Sequence, residues 1–522
     1  PARSSVTDFP FALVNCQSGS MSEKKATAPT FDEQYRPQFH YTPRRNWMND
    51  PNGLVYHDGT YHLFHQYNPE GTQWGHMSWY HATSPDLVHW THEGVAIPEE
   101  GNEMIFSGSA VVDHDDTAGF GTASDASPMV AVYTSHYVLP DDSVNQAQSL
   151  AYSVDGGDTW TKYEDNPVLD HADPEFRDPN VFWYEPEQKW VMAVALSDQR
   201  IIQFYASTDL KDWTHLSDFG PVGSTAGIWE CPALFRMPVE ETTDRTRWVL
   251  SVDVGSGAAA GGSGSQYFVG SFDGTTFTPD EAHLESAPHW ADYGPDFYAA
   301  IPWSNIPESD GRALWLGWMN NWTYAEDIPT APWRSAQTVA RSLSLRPIDG
   351  HLRLTQRPVE ELERLRTDPV RLQARTLADE TVSFEKDLSG QTLDIVAEFD
   401  PGDADTMGLH VRTGPDERTV VGYDATTGSV FVDRTRSGAV DFAEGFASRN
   451  AAPLSPIDGR VTLRVLVDRS SVEVFANDGA RVLTHRIFPD STSDGVAAFA
   501  TGGTATLARL DAWTLRSIWV DQ

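Results

Sequence analysis

Four stretches of this chain repeat one local pattern at intervals of 50 to 70 residues. They are "HATSPDLVHW" (81–90), "AYSVDGGDTW" (151–160), "YASTDLKDW" (205–213) and "VGSFDGTTF" (269–277). Each joins a strand end to a small or turn residue, an Asp and then an aromatic. Repeats of that length, each holding several short strands, are the mark of propeller blades. Buried-strand candidates lie between them: residues 61–67, "PMVAVYTS" (128–135), "QKWVMAVAL" (188–196), "TRWVLSVDV" (246–254) and "GRALWLGWM" (311–319). The spacing predicts a β-propeller.

Beyond residue 370 the chain alternates again at strand period. The runs are 392–400, 407–413, 429–435, 461–468, 470–478 and 495–501, separated by turns, which predicts a β-sandwich. Between the two domains "RPVEELERLR" (357–366) reads as a helix, because Leu362 and Leu365 share a face. The domain boundaries expected are a leader or tail over 1–35, a propeller over 36–355, a helical linker over 356–369 and a sandwich over 370–522. Residues 1–20 end in "SGS" before Met21, so they read as a non-native leader with Met21 as the native start.

Charge narrows the partners. The formal net charge is −38, which disfavours nucleic acid and anionic membrane. Only six of the 37 basic residues are lysine, a balance compatible with adaptation to high salt or with a genome that favours arginine codons. Cys16 and Cys231 are the only cysteines, and one lies in the leader, so a structural disulfide is not expected. No signal peptide is visible, which slightly favours the cytoplasm over a secreted mature form.

Three carboxylates sit just before three strand-like units. Asp50 lies in "WMNDPNG" (47–53), where Pro51 forces the preceding residue out of the helical region and Asn52-Gly53 turns the chain. Asp178 lies in "EFRDPNVFW" (175–183), where the adjacent Arg177 is expected to keep it ionised. Glu230 lies in "GIWECPALF" (227–235), where an apolar surround is expected to raise its pKa toward that of a general acid. Taken singly, each has an ordinary reading as a turn, salt-bridge or strand-end residue; Asp173, Asp368 and Asp400 precede prolines too. Converging around a propeller axis, they supply the nucleophile, the acid and the charge stabiliser of glycoside hydrolysis. HExxH, Walker A and CxxC motifs are absent, and the histidines show no metal-ligand spacing.

These motifs, with "FSGSAVVD" (106–113) and "WRSA" (333–336), resemble glycoside hydrolase family 32, the invertase, inulinase and levanase group. The stretches 264–277, 292–305, 312–335 and 468–479 are similar to bacterial levanases and exo-inulinases, and the likeness runs over about residues 36–520. It implies an all-β chain: a five-bladed β-propeller followed by a C-terminal β-sandwich. It implies retaining release of terminal β-D-fructofuranosyl units from sucrose, fructo-oligosaccharides or fructans such as inulin and levan, with no metal or cofactor. By motif, Asp50 would be the nucleophile, Glu230 the acid/base and Asp178 the transition-state stabiliser. Asn49, Gln66, Trp74, Phe106, Ser107, Arg177 and Trp322 would line the fructose subsite. A retaining enzyme would hold the Asp50 and Glu230 carboxyls ~5–5.5 Å apart. The alternatives are fructosyl transfer to a sugar acceptor, and a non-catalytic fructan-binding protein.

Overall fold

Five antiparallel sheets ring an axis in the computed structural model, which describes residues 30–121, 127–240, 242, 245–284, 287–348 and 350–519. The leader expected over residues 1–20, with Cys16, lies outside the described residues. The innermost strands are Asn46–His57, Glu103–Val112, Phe176–Tyr184, Trp229–Pro238 and Tyr298–Pro302. Each packs on the next, and the fifth packs back on the first, so the sheets are the blades of a five-bladed propeller. The ring is tied by Trp333–Arg334, a short strand from the fifth blade's chain that pairs in parallel with Asn46 and Trp47 of the first.

The five buried-strand candidates are the second strands of the five blades: Thr60–Asn68, Met129–Val138, Lys189–Leu196, Thr246–Val254 and Ala313–Trp318. A second strand has a neighbour on either side and a blade above and below, so both of its faces bury and its sequence reads as an apolar run. The repeated Asp motif is the turn from third to fourth strand in blades one to four. Asp86 Oδ1 accepts the N–H groups of Val88 and His89, Asp209 Oδ1 those of Lys211 and Asp212, and Asp273 Oδ1 those of Thr275 and Thr276. In blade two Asp155 Oδ1 accepts from Thr159 N. A short acceptor at that position satisfies turn amides that no strand can reach.

The predicted helical linker is reduced in the structure. Strand His351–Pro358 continues the fifth blade, a 3₁₀ turn spans only Glu360–Leu365, and strand Arg366–Leu372 already pairs with the C-terminal strand Thr504–Leu515. Strand pairing on both flanks claims the residues a helix would need. Leu362 and Leu365 still bury together, as residues three apart do in a 3₁₀ turn. The rest of the chain forms a sandwich of a seven-stranded and a six-stranded sheet around one aliphatic core.

The sandwich docks on the propeller through buried polar pairs. His40 bridges Asp468 (2.8 Å) and Glu473 (2.8 Å), while Arg341 bonds Asp292 at 3.1 Å and also Glu473. Arg434 of the sandwich bonds Asp296 of the propeller at 2.6 Å.

Candidate active site

All five innermost strands break their pairing register at the same level of the axis. The irregularities fall between Met48 and Pro51, Ile105 and Gly108, Arg177 and Asn180, Glu230 and Ala233, and Tyr298 and Ile301. A bulge leaves residues outside the ladder and re-aims their side chains. Here the freed positions hold Asn49-Asp50, Phe106-Ser107, Asp178 and Cys231, with Glu230 and Tyr298 at their edges. Three of them are backed by Pro51, Pro179 and Pro232, which cannot donate to a ladder. Asp178 (φ 65°), Cys231 (φ 45°) and Ala299 (φ 53°) adopt the left-handed region, so the local backbone is strained where the side chains converge. Gly108 is required for a different reason: a Cβ there would lie 2.1 Å from the Val132 carbonyl of the adjacent strand.

The carboxylates meet at this end of the channel. Asp50 is 8% exposed and Asp178 6% exposed. Asp50 Oδ2 accepts from Ser107 Oγ at 2.7 Å and Oδ1 from Asn49 Nδ2 at 3.1 Å. Asn49 is itself fixed by Trp47 Nε1 (2.7 Å) and by Gln337, which bonds its carbonyl. Asp178 Oδ2 accepts the Cys231 N–H at 2.9 Å. The Cys231 thiol lies 3.6 Å from both Asp50 Oδ2 and Asp178 Oδ2, so one sulfur links the two carboxylates. Burial raises the Asp50 carboxyl above its ordinary value, with the Ser107 and Asn49 hydrogen bonds opposing it. Burial likewise raises Asp178, against the pull of Arg177. The Cys231 thiol is pushed well up by burial and by the carboxylates around it, so it is a neutral donor, not a nucleophile.

The environments expected for Asp178 and Glu230 are partly exchanged. Glu230 does not sit in an apolar surround: its Oε1 accepts Arg177 Nε (3.1 Å) and Nη2 (3.0 Å), and its Oε2 accepts Tyr298 OH at 2.5 Å. Arg177 Nε is 4.0 Å from Asp178 Oδ2, and its Nη1 goes to Glu175 and Gln146. Arg177 commits its donors to Glu230, Glu175 and Gln146, so sequence adjacency did not make it a hydrogen-bond partner of Asp178. It reaches across to the fourth blade instead.

The remaining predicted residues fall around this centre. Phe106 lies within the second blade's bulge and stacks on His136, with ring centroids 4.3 Å apart. Trp74 is 37% exposed at the rim, edge-on to Phe106, and its backbone N–H is held by Glu326. Trp322 packs on Trp318 and Trp47. Gln66 is set back: it is buried in the second strand of blade one and donates to Asn52 Oδ1 at 2.8 Å.

Sequence reasoning missed Tyr298 and Asp253. Asp253 pairs across the strands with Glu230, is 2% exposed, and leaves Oδ2 without a hydrogen bond. Burial holds its carboxyl well above the ordinary range, aided by the charges of Asp50 and Glu230. No local signal marked either residue, since both lie within ordinary strand runs. One histidine also joins two acids in a way spacing did not show: Glu70, His76 and Glu99 bring potential ligand atoms within 4.8 Å of one another near the surface, where Glu99 takes up His76 Nδ1 at 2.7 Å.

Convergent carboxylates on a five-bladed propeller, backed by an arginine and rimmed by aromatics, define a glycosidase-type site. The model of the glycosyl hydrolases family 32 N-terminal domain matches residues 40–358, and that of the family 32 C-terminal domain matches residues 361–514. The chain is 48% identical to a levanase of Bacillus subtilis (strain 168), over 96% of this chain and 73% of the relative. It is 42% identical to an extracellular exo-inulinase of Aspergillus awamori, over 94% of this chain and 96% of the relative. A crystal structure of exo-inulinase from that fungus superposes with a TM-score of 0.88 at 41% identity, covering 94% of this chain and all of the other. The β-fructofuranosidase of Schwanniomyces occidentalis, solved with fructosyl-erythritol, gives a TM-score of 0.85 at 33% identity, over 95% of this chain and all of the other. This chain belongs to glycoside hydrolase family 32 and is a glycoside hydrolase.

Proposed function

We propose that the enzyme releases terminal β-D-fructofuranosyl units from fructans of the inulin and levan type, and from sucrose, by a retaining double displacement. The observation that carries this reading is the meeting of Asp50, Asp178 and Glu230 at the bulges of blades one, three and four, with Asp50 and Glu230 in different surroundings. Asp50 is a buried acceptor held by neutral donors only, the Ser107 hydroxyl, the Asn49 amide and the Cys231 thiol. In this reading it attacks the anomeric carbon, forming a covalent fructosyl-enzyme, while Glu230 gives its proton to the leaving oxygen and later takes one from water. Asp178, oriented by the Cys231 N–H, accepts hydroxyls of the fructosyl ring and offsets positive charge in the transition state. Arg177 and Tyr298 orient Glu230. The names of the levanase and exo-inulinase relatives support a fructan as substrate.

The test is a panel of sucrose, raffinose, inulin and levan with products resolved, run on the parent enzyme and on Asp50→Asn and Glu230→Gln. Asp50→Asn is expected to lose about 10³-fold or more in kcat. Glu230→Gln is expected to lose about 10²–10⁴-fold, with the folded state intact in both. Turnover retained in Asp50→Asn would remove it as nucleophile. Products longer than the substrate at high sucrose would move the reading to fructosyl transfer, and binding without reducing sugar would move it to a non-catalytic protein.

A further inference from the structure

In a chain with 75 acidic and 37 basic residues, an arginine's ordinary neighbour is a carboxylate. Several arginines at the domain junction pair this way: Arg341 with Asp292 and Glu473, Arg434 with Asp296, and Arg346 and Arg357 with Asp478. One recess holds two that do not. A cavity of about 200 Å³ opens between the outer strand of blade five, the segment 287–293 and the sandwich strand that begins at Arg481. Its walls carry Arg353, Arg481, His289, Trp290 and Tyr293, and among the described residues no acidic one lines it.

Among the described residues neither arginine has a carboxylate partner. Arg353 Nη1 lies 2.7 Å from His289 Nε2, and Arg481 Nη1 donates to its neighbour's carbonyl, Ala480 O, at 2.6 Å. Arg481 Nε is buried and bonded to nothing. The two acids next in sequence to the walls are committed elsewhere. Asp292 accepts from Arg341 and from the Thr484 hydroxyl and amide, and Asp478 accepts from Arg346 and Arg357. The uncompensated positive field is felt locally: burial first, then His283, Arg353 and Arg481, lower His289 to about 3. An imidazole so placed stays neutral and adds no competing charge.

We propose that this recess binds a small oxyanion, with the guanidinium groups of Arg353 and Arg481 as its donors. Planar guanidinium forks match the paired oxygens of phosphate, sulfate or a carboxylate, and binding would give the buried Arg481 Nε the acceptor it lacks. Trp290 and Tyr293 form the aromatic part of its wall. Because Arg353 belongs to the propeller and Arg481 to the sandwich, the anion ties the two domains together. Binding to the folded state alone then raises stability by mass action.

Thermal unfolding of the full chain, in sodium phosphate, sulfate or acetate against sodium chloride of equal ionic strength, tests this. Phosphate and sulfate stabilise most proteins by exclusion from the surface, so the decisive quantity is the difference from Arg353→Gln and Arg481→Gln. The parent is expected to show a saturable rise in midpoint that both variants lack, with sugar release unchanged in each. A rise confined to acetate would assign the site to carboxylates, and one shared by phosphate and sulfate would assign it to tetrahedral oxyanions. Equilibrium dialysis of the parent with labelled phosphate, sulfate or acetate needs no variant: one anion per chain is expected for the class assigned. Absence of binding for all three, or an equal midpoint rise in parent and variants, overturns the proposal. These readouts do not depend on which sugar the enzyme cleaves.

Discussion

Ser107 and Asn49 hold down the pKa of Asp50: burial, and after it the charge of Glu230, favours the protonated form, and their hydrogen bonds, with a smaller one from Cys231, oppose it. As the proposed nucleophile Asp50 must be ionised, so activity is expected to fall on the acid side as it takes up its proton. Ser107→Ala removes a donor to the charged form, and the acid limb of kcat/KM is expected to move up by about one pH unit. A limb that stays in place would mean that another group governs it. Asp253 gives the opposite kind of test. Its folded-state pKa is raised, so the folded protein binds this proton more tightly than the unfolded chain does. Stability is therefore lost as pH rises above the unfolded value of about 3.9. Asp253→Asn removes that loss, and chemical denaturation should find it more stable than the parent at neutral pH by on the order of 1 kcal/mol, with the gain vanishing below about pH 4. At this scale the three converging carboxylates were readable from sequence, because Asp50 and Asp178 directly precede a proline and Glu230 precedes one by two positions, each at the start of a strand. Their partners were not, because Arg177 meets Glu230 and Tyr298 meets Glu230 only once blades are arranged side by side.

Elements were readable where one strand's burial is a property of its own sequence. The second strand of each blade buries on both faces and was visible as an apolar run. The innermost strands were harder to place, since they mix core residues with the polar groups of the site; Glu103–Val112 reads "EMIFSGSAVV". The helix expected over 357–366 shrank because long-range pairing to strand Thr504–Leu515, itself unmarked, outweighs local helix propensity. The turn Asp was visible as a repeat, and its role can be tested apart from catalysis. Asp209 Oδ1 accepts two backbone N–H groups, so Asp209→Ala is expected to destabilise blade three by about 1–2 kcal/mol. Urea unfolding measures this, and kcat for sugar release should not change. A loss of kcat in the folded variant would mean that the turns tune the bulges at the far end of the blade.

At the scale of the molecule, the spacing of strand-like runs showed the two β domains. The surface that joins them was hidden, because it is built from charged residues that look solvated in sequence. His40, Asp468, Glu473, Arg341 and Asp292 form one buried network. Burial works against the His40 charge, but Asp468 and Glu473 outweigh it and raise its pKa above 6.5. A raised histidine contributes stability that is complete below its unfolded pKa, about 6.5, and is lost as pH climbs through the folded value. Glu473 has the reverse sign. Burial raises its pKa, but Arg341 and His40 lower it further, so its contribution holds above about 4.3 and is lost only as pH falls through its folded value. The docked domains should therefore be most stable between about pH 4.5 and 6.5. His40→Gln leaves the two carboxylates without their bridging cation, which is expected to cost about 3 kcal/mol near pH 6. The same change should flatten the alkaline fall, so parent and variant converge as pH rises and His40 loses its proton in the parent. Denaturant midpoints measured across pH decide it: parallel curves would show that His40 is neutral at the junction and acts only by shape.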